Sequence, residues 1–467
     1  MRLSAVRPAA VEGPPAAVPV MDVIAGLSRA LDITEGHPQG HAARSAVIGM
    51  QCAELLKLSD RDRSDLFHAL LLKDAGCSSN AARVHQLFGG DDHRAKRAVW
   101  LTDWRRWSDK IRYGLTWAGR SDGPLRRVAR VAALAAAGPR AETELFRIRC
   151  DRGAAIALDL GLSTATAEAI RAMDEHWDGG GQPYGRRGDE IPLLAQIIGL
   201  SQVIEIFWQE HGRQAALDVV RDRTGRWFSP ALAQVADAIA HDAMFWRDLA
   251  TVEPVELLHR VAPAPALVEA DDARLDRIVD AFAGVIDAKS PYTHDHSRRV
   301  AGYAVAAAAR LGAADRSLVR LRRAALLHDI GKLGVPNSVL DKPGRLTDEE
   351  WPLMRSHTQY THQILEAVPL FRDVAFDAAC HHERLDGSGY HLGLGGAALG
   401  PAARLLAVAD VTDALRSDRP YRPGLDIDAV VAELHRDVER NKLCPRSVEA
   451  MCDVLGTVVD APLAAAS

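Results

Sequence analysis

The chain has 467 residues, of which 48% are hydrophobic and 25% are charged, and its formal net charge is −5. This length predicts two or more domains, and the charge balance gives no reason to expect DNA or an anionic membrane as a partner. The six cysteines form no CxxC pair and no apolar run approaches the roughly 20 residues of a membrane span, so we expect a cytoplasmic protein without a membrane span.

The apolar residues follow a helical period along most of the chain, which predicts an all-α fold. Residues 1–19 are predicted to be a flexible tail. The next predicted helices cover Met21–Leu31, Ala42–Leu56, Arg61–Leu72, Ala95–Trp107, Pro124–Ala136, Arg152–Leu160, Thr164–Trp177, Pro192–His211 and the region Pro230–Asp248. The proline-rich stretch 254–270 is predicted as a linker, and a second helical run, 271–460, contains a glycine-rich loop at Leu385–Gly400.

The two halves of the chain resemble each other. An offset of 255 residues aligns His296 with His41 and Asp329 with Asp74, and a later offset of 208 aligns Glu383 with Glu175 and Gly387 with Gly179. The difference between the offsets is extra sequence in the first half. We therefore predict two tandem copies of one helical domain, a first copy at 20–253 and a second copy at 271–460.

The second copy carries seven histidine and aspartate residues at positions that the helical pattern turns inward. They are His296, His328, Asp329, His357, His381, His382 and Asp410. Taken singly, each histidine is better explained as a core residue with a satisfied hydrogen bond. Together, several neutral imidazoles with carboxylates are typical of a site for two divalent metals, and a shared aspartate can bridge such a pair.

These residues carry a resemblance to a known family. His328-Asp329, with His296 and Asp410, resembles the HD phosphohydrolase superfamily. The strings His381-His382-Glu383, Asp386-Gly387-Ser388-Gly389-Tyr390 and Ser417-Asp418-Arg419-Pro420-Tyr421-Arg422 resemble the HD-GYP subfamily of bacterial cyclic-di-GMP phosphodiesterases. The resemblance covers about 271–456 and implies tandem HD-type domains, the first of them degenerate.

The resemblance also implies roles for individual residues. One metal would be held by His296, His328, Asp329 and Asp410, and the other by Asp329, His357, His381 and His382, with iron or manganese as the metals. Asp329 would bridge them, Lys332 would protonate the leaving oxygen, and Arg419, Arg422 and Tyr390 would bind the substrate.

Two positions depart from the family pattern. His391 stands where the family has the proline of Gly-Tyr-Pro, and it is either an added ligand or proton donor or, as we prefer, a solvent-exposed loop residue. Tyr292, four residues before His296, stands where some relatives have a glutamate that helps to bind a third metal, which favours two metals.

The first copy lacks five of the seven ligand types. The aligned residues are His41, Lys73, Asp74, Arg149, Met173, Asp174 and Gln202. We therefore predict a non-catalytic domain with a regulatory, dimerising or scaffolding role. Because an unpaired buried carboxylate is costly, we also predict that Arg149 pairs with Asp74 or Asp174, while Lys73 is the less favoured partner and can extend towards solvent.

The extra segment of the first copy, about Ala81–Ala137, is basic and aromatic. It carries Trp100, Trp104, Trp107 and Trp117. Such a surface could stack a nucleotide base or meet a protein partner, but a tryptophan stripe packed on its own domain is the favoured interpretation.

The predicted function is metal-dependent hydrolysis of a cyclic dinucleotide, with cyclic-di-GMP as the first candidate. The alternatives are hydrolysis of another nucleotide or phosphate ester, and a catalytically silent signalling adaptor that binds a nucleotide. A signalling protein or a second copy of the chain is the expected protein partner.

Overall fold

The computed structural model describes residues 19–88, 98, 101–102, 107–119, 123–418 and 423–460. Within these residues the regular structure is helical and no β-strand occurs, which confirms the predicted all-α fold. None of the described helices is long and apolar enough to span a membrane. The chain divides into two compact units, with the division inside the helix Asp272–Asp287.

The first unit is built from eleven helices in the residues that the structure describes. They are Val20–Thr34, His41–Leu55, Asp60–Leu72, Ala81–Phe88, Trp107–Trp117, Pro124–Asp159, Thr164–Arg171, Leu193–Arg223, Pro230–Ala240, Ala243–Thr251 and Pro254–Val261. Several start at serine caps: the hydroxyls of Ser59, Ser163 and Ser229 accept hydrogen bonds from backbone N–H groups three residues later.

The second unit is formed by residues 282–335 and by the described chain from residue 339 onward. Its helices, with the one that leads into it, are Asp272–Asp287, His296–Arg310, Asp315–Leu327, Asn337–Leu340, Trp351–Glu366, Arg372–Ala379, Pro401–Arg416, Ile427–Glu439 and Pro445–Asp460. The helix His296–Arg310 is central, because it packs against Asp315–Leu327, Pro401–Arg416 and Pro445–Asp460.

Corresponding helices pack in the same order in the two units. In the first unit His41–Leu55 packs against Asp60–Leu72 and Leu193–Arg223, as His296–Arg310 packs against its own two neighbours. Two glycines show the same correspondence at atomic detail. A Cβ on Gly76 would lie 1.9 Å from the carbonyl oxygen of Arg149, and a Cβ on Gly331 would lie 1.9 Å from that of His357.

Some predicted helix bounds differ from the observed ones. Two predicted helices are one run, Pro124–Asp159, interrupted at Gly138 (φ 63°), which precedes a proline. The predicted helix Ala95–Trp107 falls mostly outside the described residues. The predicted linker contains the helix Pro254–Val261, whose Leu257 and Leu258 are buried. The start of the second domain at residue 271 stays a prediction.

Candidate metal centre

The pair His328-Asp329 lies at a helix end. The helix Asp315–Leu327 stops just before His328, and Asp329 precedes the short 3-10 helix Ile330–Gly334. Gly331 lets this turn approach the backbone of His357 so closely that no side chain would fit there. Two neighbouring polar side chains are therefore fixed next to the helix that carries His357.

The carboxylate of Asp329 faces a different pair of histidines with each of its oxygens. Its Oδ2 lies 3.5 Å from Nε2 of His296 and 3.3 Å from Nε2 of His328. Its Oδ1 lies 3.7 Å from Nε2 of His357 and 3.5 Å from Nε2 of His381. One carboxylate thus stands between two groups of imidazoles, as a bridging ligand would.

Asp410 and His382 complete the two groups. From the helix Pro401–Arg416, Asp410 places Oδ1 3.4 Å from Nε2 of His296 and Oδ2 3.6 Å from Nδ1 of His382. Two clusters, His296–His328–Asp410 and His357–His381–His382, each bring three possible ligand atoms within 4.8 Å of one another. The structure therefore brings together all seven predicted metal-ligating residues.

Backbone carbonyls orient three of the imidazoles. The Nδ1 atoms of His328, His357 and His381 each lie 2.6 Å from the carbonyl oxygen three residues earlier. A carbonyl can only accept, so each Nδ1 carries a proton and each Nε2 is the ring nitrogen left to face the site. This arrangement is typical of histidines that bind a metal through Nε2.

The buried polar atoms at the centre fit a cation. Nε2 of His296, Nε2 of His328 and Oδ1 of Asp329 are buried and make no hydrogen bond among the described residues. Buried polar atoms without partners are costly, and a divalent cation would give all of them one. The donor set of imidazoles and carboxylates suits a transition metal.

Burial sets the protonation of this site. It lowers the pKa of His357 to about 3 and also lowers the pKa values of His381 and His382, so these imidazoles are neutral near pH 7. Burial alone would raise the pKa of Asp329, but His328 and Lys332 hold it well below its ordinary value. These three neutral imidazoles beside an ionised carboxylate are in the protonation states that a metal site requires. His296 differs, because hydrogen bonds to Asp329, Asp410 and Asp413 outweigh burial and raise its pKa.

Of the residues predicted to protonate or bind the substrate, the structure describes Lys332 and Tyr390. Nζ of Lys332 donates to Oδ2 of Asp329 at 2.5 Å, and the ring of Tyr390 lies 4.6 Å from that of His382. Arg419 and Arg422 lie outside the described residues. The roles of all four residues stay predictions.

His391 differs from its predicted environment. The interpretation as a solvent-exposed loop residue is wrong, because the side chain is half-buried and its Nε2 is buried without a hydrogen bond among the described residues. Its backbone has a φ of 63°, in the left-handed region.

Sequence reasoning missed Asp413, which supports His296 from behind. Asp413 is buried, and its Oδ2 lies 2.7 Å from Nδ1 of His296. Arg299 donates to both of its oxygens, from Nε at 2.6 Å and from Nη2 at 3.0 Å. The internal repeat could have identified Asp413, because the aligned residue Glu205 is also acidic. Nε of Arg44, which aligns with Arg299, donates to Glu205 at 2.7 Å.

In the first copy, cationic side chains occupy the corresponding places. Lys73 is buried, with Nζ bonded to Asp74 and 2.9 Å from Nε2 of His41, so the expectation that it extends towards solvent is wrong. Arg149 pairs with Asp174, as one of the two predicted pairings requires.

Among the described residues of the first copy, one group of possible ligands remains. Glu35, Asp74 and Cys77 bring donor atoms within 4.8 Å of one another. However, Asp74 is paired with Lys73, and Nη1 of Arg149 lies 3.8 Å from Glu35. Two fixed positive charges would repel a cation there, so a first copy without a metal stays our prediction.

Known proteins resemble this chain in sequence. The chain matches the family model for the HD domain over residues 140–232 and 280–443. It is 41% identical over 420 residues to 3'3'-cGAMP-specific phosphodiesterase 3 of Vibrio cholerae, covering 90% of this chain and 91% of that protein. It is 39% identical over 173 residues to a cyclic di-GMP phosphodiesterase response regulator of Xanthomonas campestris, covering 36% of this chain and 45% of that protein.

A solved structure extends the similarity to the whole fold. It is the crystal structure of a cyclic GMP-AMP specific phosphodiesterase of V. cholerae. The two structures superpose with a TM-score of 0.65 at 36% sequence identity, over 94% of this chain and 98% of the other.

Proposed function

This chain belongs to the HD domain family, in its HD-GYP branch. From that premise we propose its substrate and the role of each site residue. As a member of that branch it is a phosphodiesterase, and its substrate is a cyclic dinucleotide. The observation that carries the proposal is the pair of clusters around Asp329, where Nε2 of His296, Nε2 of His328 and Oδ1 of Asp329 are buried without a hydrogen bond among the described residues.

Each cluster would hold one divalent metal, iron or manganese. His296, His328 and Asp410 would bind one ion together with Oδ2 of Asp329. His357, His381 and His382 would bind the other together with Oδ1. Two such ions offset the negative charge of a phosphodiester and lower the pKa of bound water.

The remaining site residues would bind the substrate and protonate its leaving oxygen. Lys332 has a side chain that is 16% exposed, so its ammonium can reach a substrate while it stays bonded to Asp329. It would donate a proton to the leaving oxygen of the broken ester. Arg419 and Arg422 would grip phosphate oxygens through two hydrogen bonds each.

Two substrates have support. Cyclic-di-GMP is supported by the motif resemblance and by relatives named for it. The relative that aligns over 90% of this chain is named for 3'3'-cGAMP, which favours cGAMP as the second candidate. Both contain guanine.

The test is turnover by the full-length chain on cyclic-di-GMP, 3'3'-cGAMP and cyclic-di-AMP, before and after chelation. We expect linear products from at least one guanine-containing substrate, loss of turnover after chelation, and recovery with Mn²⁺ or Fe²⁺. A metal-loaded protein that hydrolyses none of the three would refute the proposal. The chain would then act on another phosphate ester or bind nucleotides without turnover.

A further inference from the structure

A row of rings leads outward from the metal centre. The ring of Tyr390 lies 4.6 Å from that of His382 and 6.3 Å from that of Trp351. The guanidinium of Arg355, one turn after Trp351 on the same helix, lies 5.5 Å from the centre of the Trp351 ring and 5.3 Å from that of Tyr390. We call Trp351, Arg355 and Tyr390 the aromatic platform.

The aromatic platform is held at the surface. Trp351 is 36% exposed, and Arg355 is exposed as well. Arg355 makes no ion pair with a carboxylate among the described residues, so its donors remain available on the solvent side. An indole and a guanidinium beside a polar site favour the flat face of an aromatic ligand.

The first copy provides an internal comparison. The residues aligned with Trp351 and Tyr390 are Thr143 and Gln182, and the Thr143 hydroxyl donates to Gln182 Oε1 at 2.9 Å. The corresponding helix and loop therefore contact each other in both copies. In the first copy the contact is a hydrogen bond, whereas in the second copy it is made by the rings of Trp351 and Tyr390.

The aligned arginine shows the same contrast. Arg147, the counterpart of Arg355, is tied to Glu144 one turn earlier on its helix. The residue aligned with Glu144 is Pro352, which has no acceptor side chain. The free guanidinium and the aromatic pair thus occur together, in the copy that has the candidate metal centre.

We propose that the aromatic platform is a guanine-binding subsite. The base stacks on the exposed indole of Trp351, with Tyr390, whose ring is inclined by 68° to the indole, beside its edge. The guanidinium of Arg355 donates two hydrogen bonds to O6 and N7 of guanine. Adenine carries an amino group in place of O6 and cannot accept the second bond. This inference rests on the proposed function, because it places a base of the cyclic dinucleotide next to the phosphodiester at the metal centre.

The experiment is steady-state kinetics of the full-length metal-loaded chain on cyclic-di-GMP, with cyclic-di-AMP as a competitive inhibitor. Trp351→Ala should raise the KM for cyclic-di-GMP about tenfold to a hundredfold, as expected for the loss of one stacked base, with kcat and metal content unchanged. Trp351→Phe should recover most of the loss, since it restores a ring. Leu353→Ala is the matched control, because Leu353 is 47% exposed on the same helix but lies outside the platform.

Arg355 tests base selection. Arg355→Ala and Arg355→Lys should both raise the KM for cyclic-di-GMP at least tenfold and raise the Ki of cyclic-di-AMP several-fold less. Guanine loses the two-bond contact at O6 and N7, which an ammonium cannot replace, whereas adenine has only the bond at N7 to lose. Equal effects on both ligands would overturn guanine selection. An unchanged KM in Trp351→Ala would overturn the subsite itself, whereas a parent chain without turnover on any cyclic dinucleotide would overturn the proposed function.

Discussion

The guanidinium of Arg149 donates from Nη2 to both carboxylate oxygens of Asp174, at 2.8 and 2.6 Å. By the internal offset these residues hold the positions of His357 and His382. Both are buried, so a salt bridge in the first copy takes the place of two ligand-type imidazoles in the second.

Arg149→Ala should destabilise the first copy by roughly 3–5 kcal/mol, because it leaves the Asp174 carboxylate buried without its cation. Denaturant unfolding of the full chain, followed by tryptophan fluorescence, reports mainly on this copy, since eight of the nine tryptophans precede residue 250. Turnover by the second copy should persist under native conditions.

Two variants accompany this measurement. Arg152→Ala removes an exposed arginine from the same helix and should change stability little. Arg149→Met combined with Asp174→Leu should recover most of the loss, because it removes both charges together. An Arg149→Ala unfolding curve that overlays the parent would contradict the importance of this pair.

Asp329→Ala should reduce turnover and metal content more than His296→Ala. Asp329 contributes one oxygen to each cluster, whereas the available Nε2 of His296 faces one cluster only. Metal content by elemental analysis and kcat would be measured on both variants. Equal retention of metal by the two proteins would argue against a bridging carboxylate.

The seven residues of this cluster could be predicted because their signal is local and chemical. Each inward histidine taken singly is better explained as a core residue, but seven histidines and aspartates at inward helical positions of one copy together indicate a metal site. The supporting residue Asp413 could not be recognised in the same way, since an aspartate near an arginine is ordinary on a helix surface. Its role depends on a contact between residues 117 positions apart, from Nδ1 of His296 to Oδ2 of Asp413.

Helix ends were harder to predict than helices. Glycine and proline at 138 and 139 usually break a helix, yet the run Pro124–Asp159, predicted as two helices, is interrupted at Gly138 and continues beyond it. The burial of Lys73 was also missed. Helical geometry alone turns it away from Asp74, but its long side chain bends back to reach both Asp74 and His41.

Asp413→Asn should weaken metal binding roughly 10- to 100-fold, the usual effect of removing the partner of a ligating histidine. The amide keeps the shape but loses the charge that orients His296 and neutralises Arg299. Competition with a chelator would give the metal affinity. The matched variant Glu205→Gln, at the aligned position of the first copy, should leave the metal affinity unchanged.

Gly331→Ala should abolish metal binding and turnover, because a Cβ there would lie 1.9 Å from the carbonyl oxygen of His357 and 2.7 Å from N of Thr361. Both close atoms are backbone, so the helix carrying His357 must move. Gly76→Ala creates the same clash in the first copy and serves as the comparison. This variant should lose stability but keep the metal content of the parent. Normal metal content in Gly331→Ala would show that this close approach does not position His357.

His391→Pro restores the family motif Gly-Tyr-Pro, yet we expect it to lower turnover at least about tenfold. The φ of His391 is 63°, whereas a proline ring holds φ near −65°. The loop would have to change course next to Tyr390, whose backbone N–H donates to the carbonyl of His382 at 3.3 Å. It would also strain the anchor formed by Glu383, whose carboxylate accepts from the backbone N–H groups of Leu392 and Leu394, both at 2.9 Å.

Two further replacements separate the backbone of His391 from its imidazole. His391→Gly and His391→Asn both tolerate a left-handed backbone, so each should keep kcat and KM within a few fold of the parent. If His391→Pro had the turnover of the parent, the loop could rearrange, and the left-handed backbone of residue 391 would not be needed for function. If His391→Gly and His391→Asn lost turnover with the loop intact, the imidazole itself would act at the site, as a ligand or as a proton donor. Turnover and metal content measured together on the three variants decide between these outcomes, because a lost ligand lowers both and a lost proton donor lowers turnover alone.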